Sequence, residues 1–120
     1  MALELDKTDV FYAISHPLRR AILESLVEEP RPAMYLSSMW NVSKAGLSQH
    51  LRVLEVSGLV VHYKVGRQRF YELQEKPLYA VYQWSHQFEK FWQEKLENLG
   101  EYLQKTHSNT NQQNTEEQEN

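Results

Sequence analysis

The apolar positions of the chain keep a helical period as far as Gly58, change to a strand-like pattern, and then return to the helical one. Val10, Phe11 and Ile14 share one side of a first helix predicted over Thr8 to Ile14. A second starts at His16-Pro17, where proline suits the opening turn, and carries Leu18, Ile22, Leu23, Leu26 and Val27 before Pro30 and Pro32 close it. A short third helix from about Ala33 to Met39 turns Leu36 and Met39 inward. Asn41-Val42-Ser43 breaks the pattern, and Ser43 is a good N-cap for a fourth helix. There Leu47, Leu51 and Leu54 fall at i, i+4 and i+7 before Ser57-Gly58 stops the helix. Leu59 to Lys64 and Gln68 to Leu73 are β-leaning runs joined across Val65-Gly66-Arg67, a hairpin pattern because Gly66 takes positive φ freely. Pro77 opens a long last helix to about Leu103, with Leu78, Val81, Tyr82, Phe88, Trp92, Leu96, Leu99 and Leu103 apolar.

Two helices joined by the tight turn at Trp40-Asn41-Val42-Ser43, the second amphipathic and followed by a hairpin, describe a winged helix-turn-helix. The fold class expected is mainly α with a β-hairpin wing, in the order α-α-α-α-β-β-α. Residues 106–120 hold no aliphatic or aromatic side chain, and such a segment buries too little to offset its ordering entropy. The expected organisation is one folded domain over residues 1–105 and a disordered polar tail over 106–120.

Charge sharpens this reading. The whole chain of 120 residues carries a net −3, but residues 41–73 carry +3 between flanks of −2 and −4. A basic middle between acidic ends marks a local anion-binding surface, with double-stranded DNA the expected partner. On the fourth helix, Ala45, Gln49, Arg52 and Val56 lie opposite the buried stripe, with Ser48 beside them. Small and polar side chains near the helix start can approach base edges, while Arg52 further along suits a phosphate. Around the hairpin turn, Lys64, Arg67, Gln68 and Arg69 suit a wing lying along a backbone or minor groove.

The absence of cysteine removes disulfides, thiolate metal sites and cysteine nucleophiles, and fits a cytoplasmic chain. No apolar run is long enough for a membrane span, and the start of the chain lacks a secretion pattern, so no membrane partner is expected. No nucleophile elbow, phosphate-binding glycine loop or His-Glu-x-x-His run is present, which argues against an enzyme.

Four segments carry a family resemblance: His16-Pro-Leu-Arg-Arg-Ala-Ile-Leu-Glu, Val42-Ser-Lys-Ala-Gly-Leu-Ser-Gln-His-Leu-Arg-Val-Leu-Glu, Ser57-Gly-Leu-Val and Gly66-Arg-Gln-Arg-Phe-Tyr-Glu-Leu. Over about residues 8–103 the chain resembles the ArsR/SmtB family of bacterial repressors. The resemblance implies a homodimeric winged helix whose first and last helices form the interface. It also implies repression by occupying a two-fold symmetric operator, relieved when an effector binds. Ser48 and Gln49 fall where the family reads bases, with Lys44 and Ala45 at the same groove-facing end.

Where family members that sense arsenic or cadmium place a Cys-x-Cys pair, this chain holds Pro32 and Met34. Of the zinc- and nickel-sensing pattern on the last helix only His86-x-x-Glu89 remains, and two protein ligands rarely make a dedicated zinc site. No metal and no cofactor is therefore expected, with a metal-responsive repressor using His86 and Glu89 as the alternative. A second alternative is a winged-helix protein-interaction module. It gives no reason for Ser48 and Gln49 to stay small and polar beside a basic wing.

The remaining features have plainer readings. His50 sits about 60° from the buried stripe and belongs at the helix border, packed or hydrogen-bonded. His62 reads as a surface strand residue, and Arg19 and Arg20 as braces between helices. Trp84, Phe91, Trp92 and Tyr102 make the last helix apolar over more than one face, a surplus that marks a partner surface. Phe11, Phe88, Trp92, Leu96 and Leu99 are the expected dimer interface. The sequence leaves room for a small-molecule inducer among the aromatics and identifies none.

Overall fold

A computed structural model describes residues 6–119 of the chain, with side chains described through residue 106. Two compact units divide it, Met1–Tyr82 and Gln83–Asn120.

In the first unit, α1 is Val10–Ala13, shorter than its apolar pattern suggests. Thr8 is held outside it by its own bonds to the Asp6 carboxylate, and Asp9 caps the helix by accepting from the Phe11 N–H. The next helix, α2 (Pro17–Ser25), opens at its proline behind a His16 cap. It ends before Val27, which is exposed rather than part of the buried stripe.

Pro32 does more than stop a helix. Arg31–Pro32 form a short strand, β1, that the apolar pattern does not suggest. It pairs antiparallel with the second hairpin strand, Arg31 opposite Tyr71 and Pro32 opposite Phe70. Proline is admitted because β1 lies at an edge of the sheet, where a missing N–H breaks no ladder. Helix α3 (Ala33–Met39) follows directly, with Leu36 buried but Met39 exposed instead of inward. The fourth helix, α4 (Lys44–Val56), buries Leu47, Leu51 and Leu54 as their spacing predicts.

The hairpin is β2 (Val60–Val65) and β3 (Gln68–Leu73), joined by Gly66-Arg67 with Gly66 at φ 65°. The sheet therefore has three strands in the order β1-β3-β2 rather than two. Ile22, Leu36, Leu54, Leu59 and Val60 are fully buried at the centre of the core, which gathers α1, α2, α3, α4 and the base of the hairpin.

The last helix is two helices, α5 (Leu78–His86) and α6 (Glu89–Glu119). The break needs neither proline nor glycine. The Gln87 side-chain amide donates to the Trp84 carbonyl at 2.8 Å, the acceptor that the Phe88 N–H would use in a continuous helix, and Phe88 bonds Ser85 instead. Residues 106–119 of the expected polar tail fall on the α6 backbone, and Asn120 and the side chains from 107 onward lie outside the described residues. Among the described residues, no helix is long and apolar enough to cross a membrane.

Candidate nucleic-acid interface

Helix α4 begins at a turn that leaves little space beside its third residue. Ser43 Oγ accepts the Gly46 N–H at 3.0 Å, and a Cβ on Gly46 would stand 3.0 Å from Val42 Cγ2 and 3.1 Å from Ser43 Oγ. Since Leu47, Leu51 and Leu54 point inward, Ala45, Gln49 and Arg52 point to solvent, and Lys44 and Ser48 are exposed on the flank between.

The hairpin register arranges the wing. Lys64 lies opposite Arg69, two places along from the His62–Tyr71 pair, so both cations continue the side of the hairpin whose buried residues, Val60 and Tyr71, face the core. Like charges directly across a ladder repel, so this pair favours an anion between them. Arg67 occupies the turn. Pro32, Ala33, Met34 and Ser37 supply one wall of a groove of about 390 Å³. Lys44 and Ser48 from α4 and Arg67, Gln68 and Arg69 from the wing complete it over a floor of Leu47, Leu51 and Tyr71.

The groove thus gathers five of the residues expected to meet DNA, while Ala45, Gln49 and Arg52 look outward beside it and Lys64 stands next to Arg69. Sequence reasoning misses the wall from α3, because that wall exists only once β1 pairs with β3. Among the described residues, Lys44, Arg52, Lys64, Arg67 and Arg69 have no carboxylate within ion-pair distance. Glu55, the acid on the same helix, is engaged by His62 Nδ1.

The bracing expected of Arg19 and Arg20 is present: Arg20 Nη1 donates to the Ile14 carbonyl at 2.7 Å, and buried Arg19 reaches Tyr12, Ala13 and His50. His50 lies half-buried at the border of α4, and His62 is exposed on β2.

A family model described as a helix-turn-helix domain matches residues 14–63. Transcriptional repressor SdpR of Bacillus subtilis (strain 168) is 31% identical over 80 residues, covering 67% of this chain and 89% of that protein. HTH-type transcriptional regulator Rv2034 of Mycobacterium tuberculosis is 34% identical over 80 residues, 67% of this chain and 72% of its own. The crystal structure of an ArsR family transcriptional regulator, RHA00566, superposes with a TM-score of 0.64 at 28% identity, covering 78% of this chain and 97% of that one. The chain belongs to the ArsR/SmtB family. It is a DNA-binding transcriptional regulator, in a family of regulators rather than enzymes.

This ArsR/SmtB protein has no cysteine and hence no thiolate pair. Pro32 sits in β1, and Met34 lines the groove. On the second unit, His86 Nδ1 and Glu89 Oε2 form an exposed pair at 3.0 Å, and among the described residues no three His, Cys, Asp or Glu side chains gather to hold a metal ion. Trp84, Ser85, Phe88, Phe91, Trp92 and Lys95 line an open, largely apolar cleft of about 380 Å³ in the same unit.

Proposed function

We propose that the protein is a homodimeric repressor that occupies a two-fold symmetric operator, with α4 in the major groove and the wing along the sugar–phosphate backbone. The cations around the groove, exposed and without carboxylate partners among the described residues, carry this reading: polyanion binding gives them counter-charge. Ser48 and Gln49, with Ala45 and Lys44 beside them, meet base edges, while Arg52, Lys64, Arg67, Gln68 and Arg69 hold the backbone. Repression follows SdpR, which is named a transcriptional repressor. Dimerisation rests on the apolar side chains exposed at Phe11 in one unit and at Phe88, Trp92, Leu96 and Leu99 in the other.

Reading and holding separate under mutation. Gln49→Ala is expected to weaken binding to the selected operator by about 1–3 kcal/mol per half-site, barely touch binding to random DNA, and leave the salt slope unchanged. Arg67→Ala is expected to weaken both, the slope of log K against log salt falling by about one unit for each phosphate no longer neutralised. Fluorescence anisotropy at several salt concentrations checks this, and equal specificity ratios and slopes for the two variants would reject the assignment.

A repressor that senses metal through His86 and Glu89 is tested by zinc calorimetry against a chelating competitor. No tight site is expected, since two ligands leave a tetrahedral ion half-coordinated. Tight binding that His86→Ala abolishes would reinstate the metal-sensing alternative.

A further inference from the structure

A buried guanidinium ties α1, α2 and the reading helix α4 together. Arg19, on α2, is 6% exposed. Its Nε donates to the Ala13 carbonyl at 2.7 Å and its Nη2 to the Tyr12 carbonyl at 3.0 Å, both at the end of α1. Its Nη1 meets His50 Nδ1, on α4, at 3.2 Å. Arginine stays protonated in proteins and has no acceptor, so His50 Nδ1 must accept, and the single proton of the neutral ring sits on Nε2. His16 is fixed in the same way, its Nδ1 accepting from the Leu18 N–H at 3.0 Å as the cap of α2. The two rings lie 4.5 Å apart, centre to centre.

Among the described residues, the groups facing His50 offer nothing to stabilise a second proton. His16 and Arg19 come from α2, and Tyr12 of α1 lies against Arg19, its ring 5.1 Å from the guanidinium carbon. Burial, then electrostatic coupling to the neighbouring His16 ring and to Arg19, holds His50 below the usual imidazole range. A proton on Nδ1 turns the acceptor for Arg19 into a donor and sets two cations against each other. Arg19 is held by the α1 carbonyls, so the ring that gives way is His50, and it directly follows Ser48 and Gln49 in sequence.

We propose that His50 is a proton-sensitive positioning residue: through Arg19 it sets the stance of α4, and protonation releases that tie and lowers discrimination between operator and random DNA. This rests on the reading of Ser48 and Gln49 as base contacts. The sign is fixed by linkage. A histidine that binds its proton less readily in the folded than in the unfolded chain contributes stability that is complete above the ordinary imidazole range and is lost as pH falls below it, through the lowered value of the folded ring. Positive charge gained anywhere on the surface as pH falls acts oppositely on affinity, since it favours any duplex. The informative quantity is therefore the ratio of specific to random binding.

The test uses the whole chain, a duplex selected from a random library by the wild-type protein at about pH 8, and a random duplex of equal length, titrated by anisotropy down to about pH 5.5. The wild-type ratio is expected to fall roughly fivefold or more, the lower range of energetic couplings between sites. In His50→Asn, Oδ1 can still accept from Arg19 but takes no proton, and a flat ratio is expected. A wild-type ratio independent of pH, or a His50→Asn ratio that falls in parallel, overturns the proposal. Circular dichroism at each pH shows whether the variant is folded. If His50→Asn does not fold, the wild-type NMR titration decides: the amides of Ser48 and Gln49 move with the His50 ring, or the proposal fails. Gln49→Ala at about pH 8 separates the two readings, because an unchanged ratio there overturns base contact itself, whatever the pH profile.

Discussion

Leu54→Ala is expected to destabilise the folded chain by about 2–5 kcal/mol, a large part of the roughly 5–15 kcal/mol that keeps a domain folded. Leu54 is fully buried on α4 and belongs to the core that also holds Ile22, Leu36, Leu59 and Val60, so shortening it leaves a void beneath the helix that carries the DNA-facing residues. Urea unfolding at fixed protein concentration measures the loss as a lower midpoint at unchanged slope. A loss below about 1 kcal/mol would mean that the core closes over the gap and is less tightly packed than the burial of these side chains indicates.

Trp92→Ala is expected to dissociate the proposed dimer. Trp92, Leu96, Leu99 and Leu103 recur along α6 at helical spacing and are 60%, 63%, 50% and 55% exposed. In a single chain that exposure makes truncation nearly free, whereas a tryptophan central to an interface costs about 2–4 kcal/mol when removed, and a two-fold interface loses it twice. Sedimentation velocity at micromolar concentration is expected to show a dimer for the wild type and a monomer with unchanged circular dichroism for the variant. A monomeric wild type at high concentration, or an undisturbed dimer in Trp92→Ala, would remove α6 from the interface.

The parts of the fold that are legible in the sequence are those whose cause is local. Ser43 announces α4, the spacing of Leu47, Leu51 and Leu54 gives its buried face, and Gly66 marks the turn of the wing, because each acts within a few residues. The order of elements, apart from β1 and the break before α6, and the outward face of α4 follow from them. What escapes depends on partners far along the chain. β1 needs Tyr71 and Phe70 to become a strand, so Arg31-Pro32 reads as a helix stop until β3 is in place. The break before α6 depends on one side-chain amide competing for a carbonyl, and the apolar period runs through it undisturbed. Met39 and Val27 carry the right period but lie where helices end, and periodicity says nothing about how much core remains to receive them. The candidate site divides in the same way: its residue types and charges are readable, while the groove that gathers five of them comes from pairing across the sheet.

The two-residue strand β1 also determines where this chain can change length. Pro32 is at once the residue paired with Phe70 and the cap from which α3 starts, so the sheet and the helix-turn-helix share a single peptide unit. One residue inserted between Pro30 and Ala33 would shift that pairing by a pleat and rotate α3 with it, altering the groove from its wall inward. The tip of the wing has no such tie: the space around Gly66 is open to 4 Å, and only its φ of 65° requires that residue to stay glycine. This chain therefore has room for added length at the hairpin tip and almost none at the strand that anchors it, and a graft that retargets the protein belongs beside Gly66, with the glycine kept.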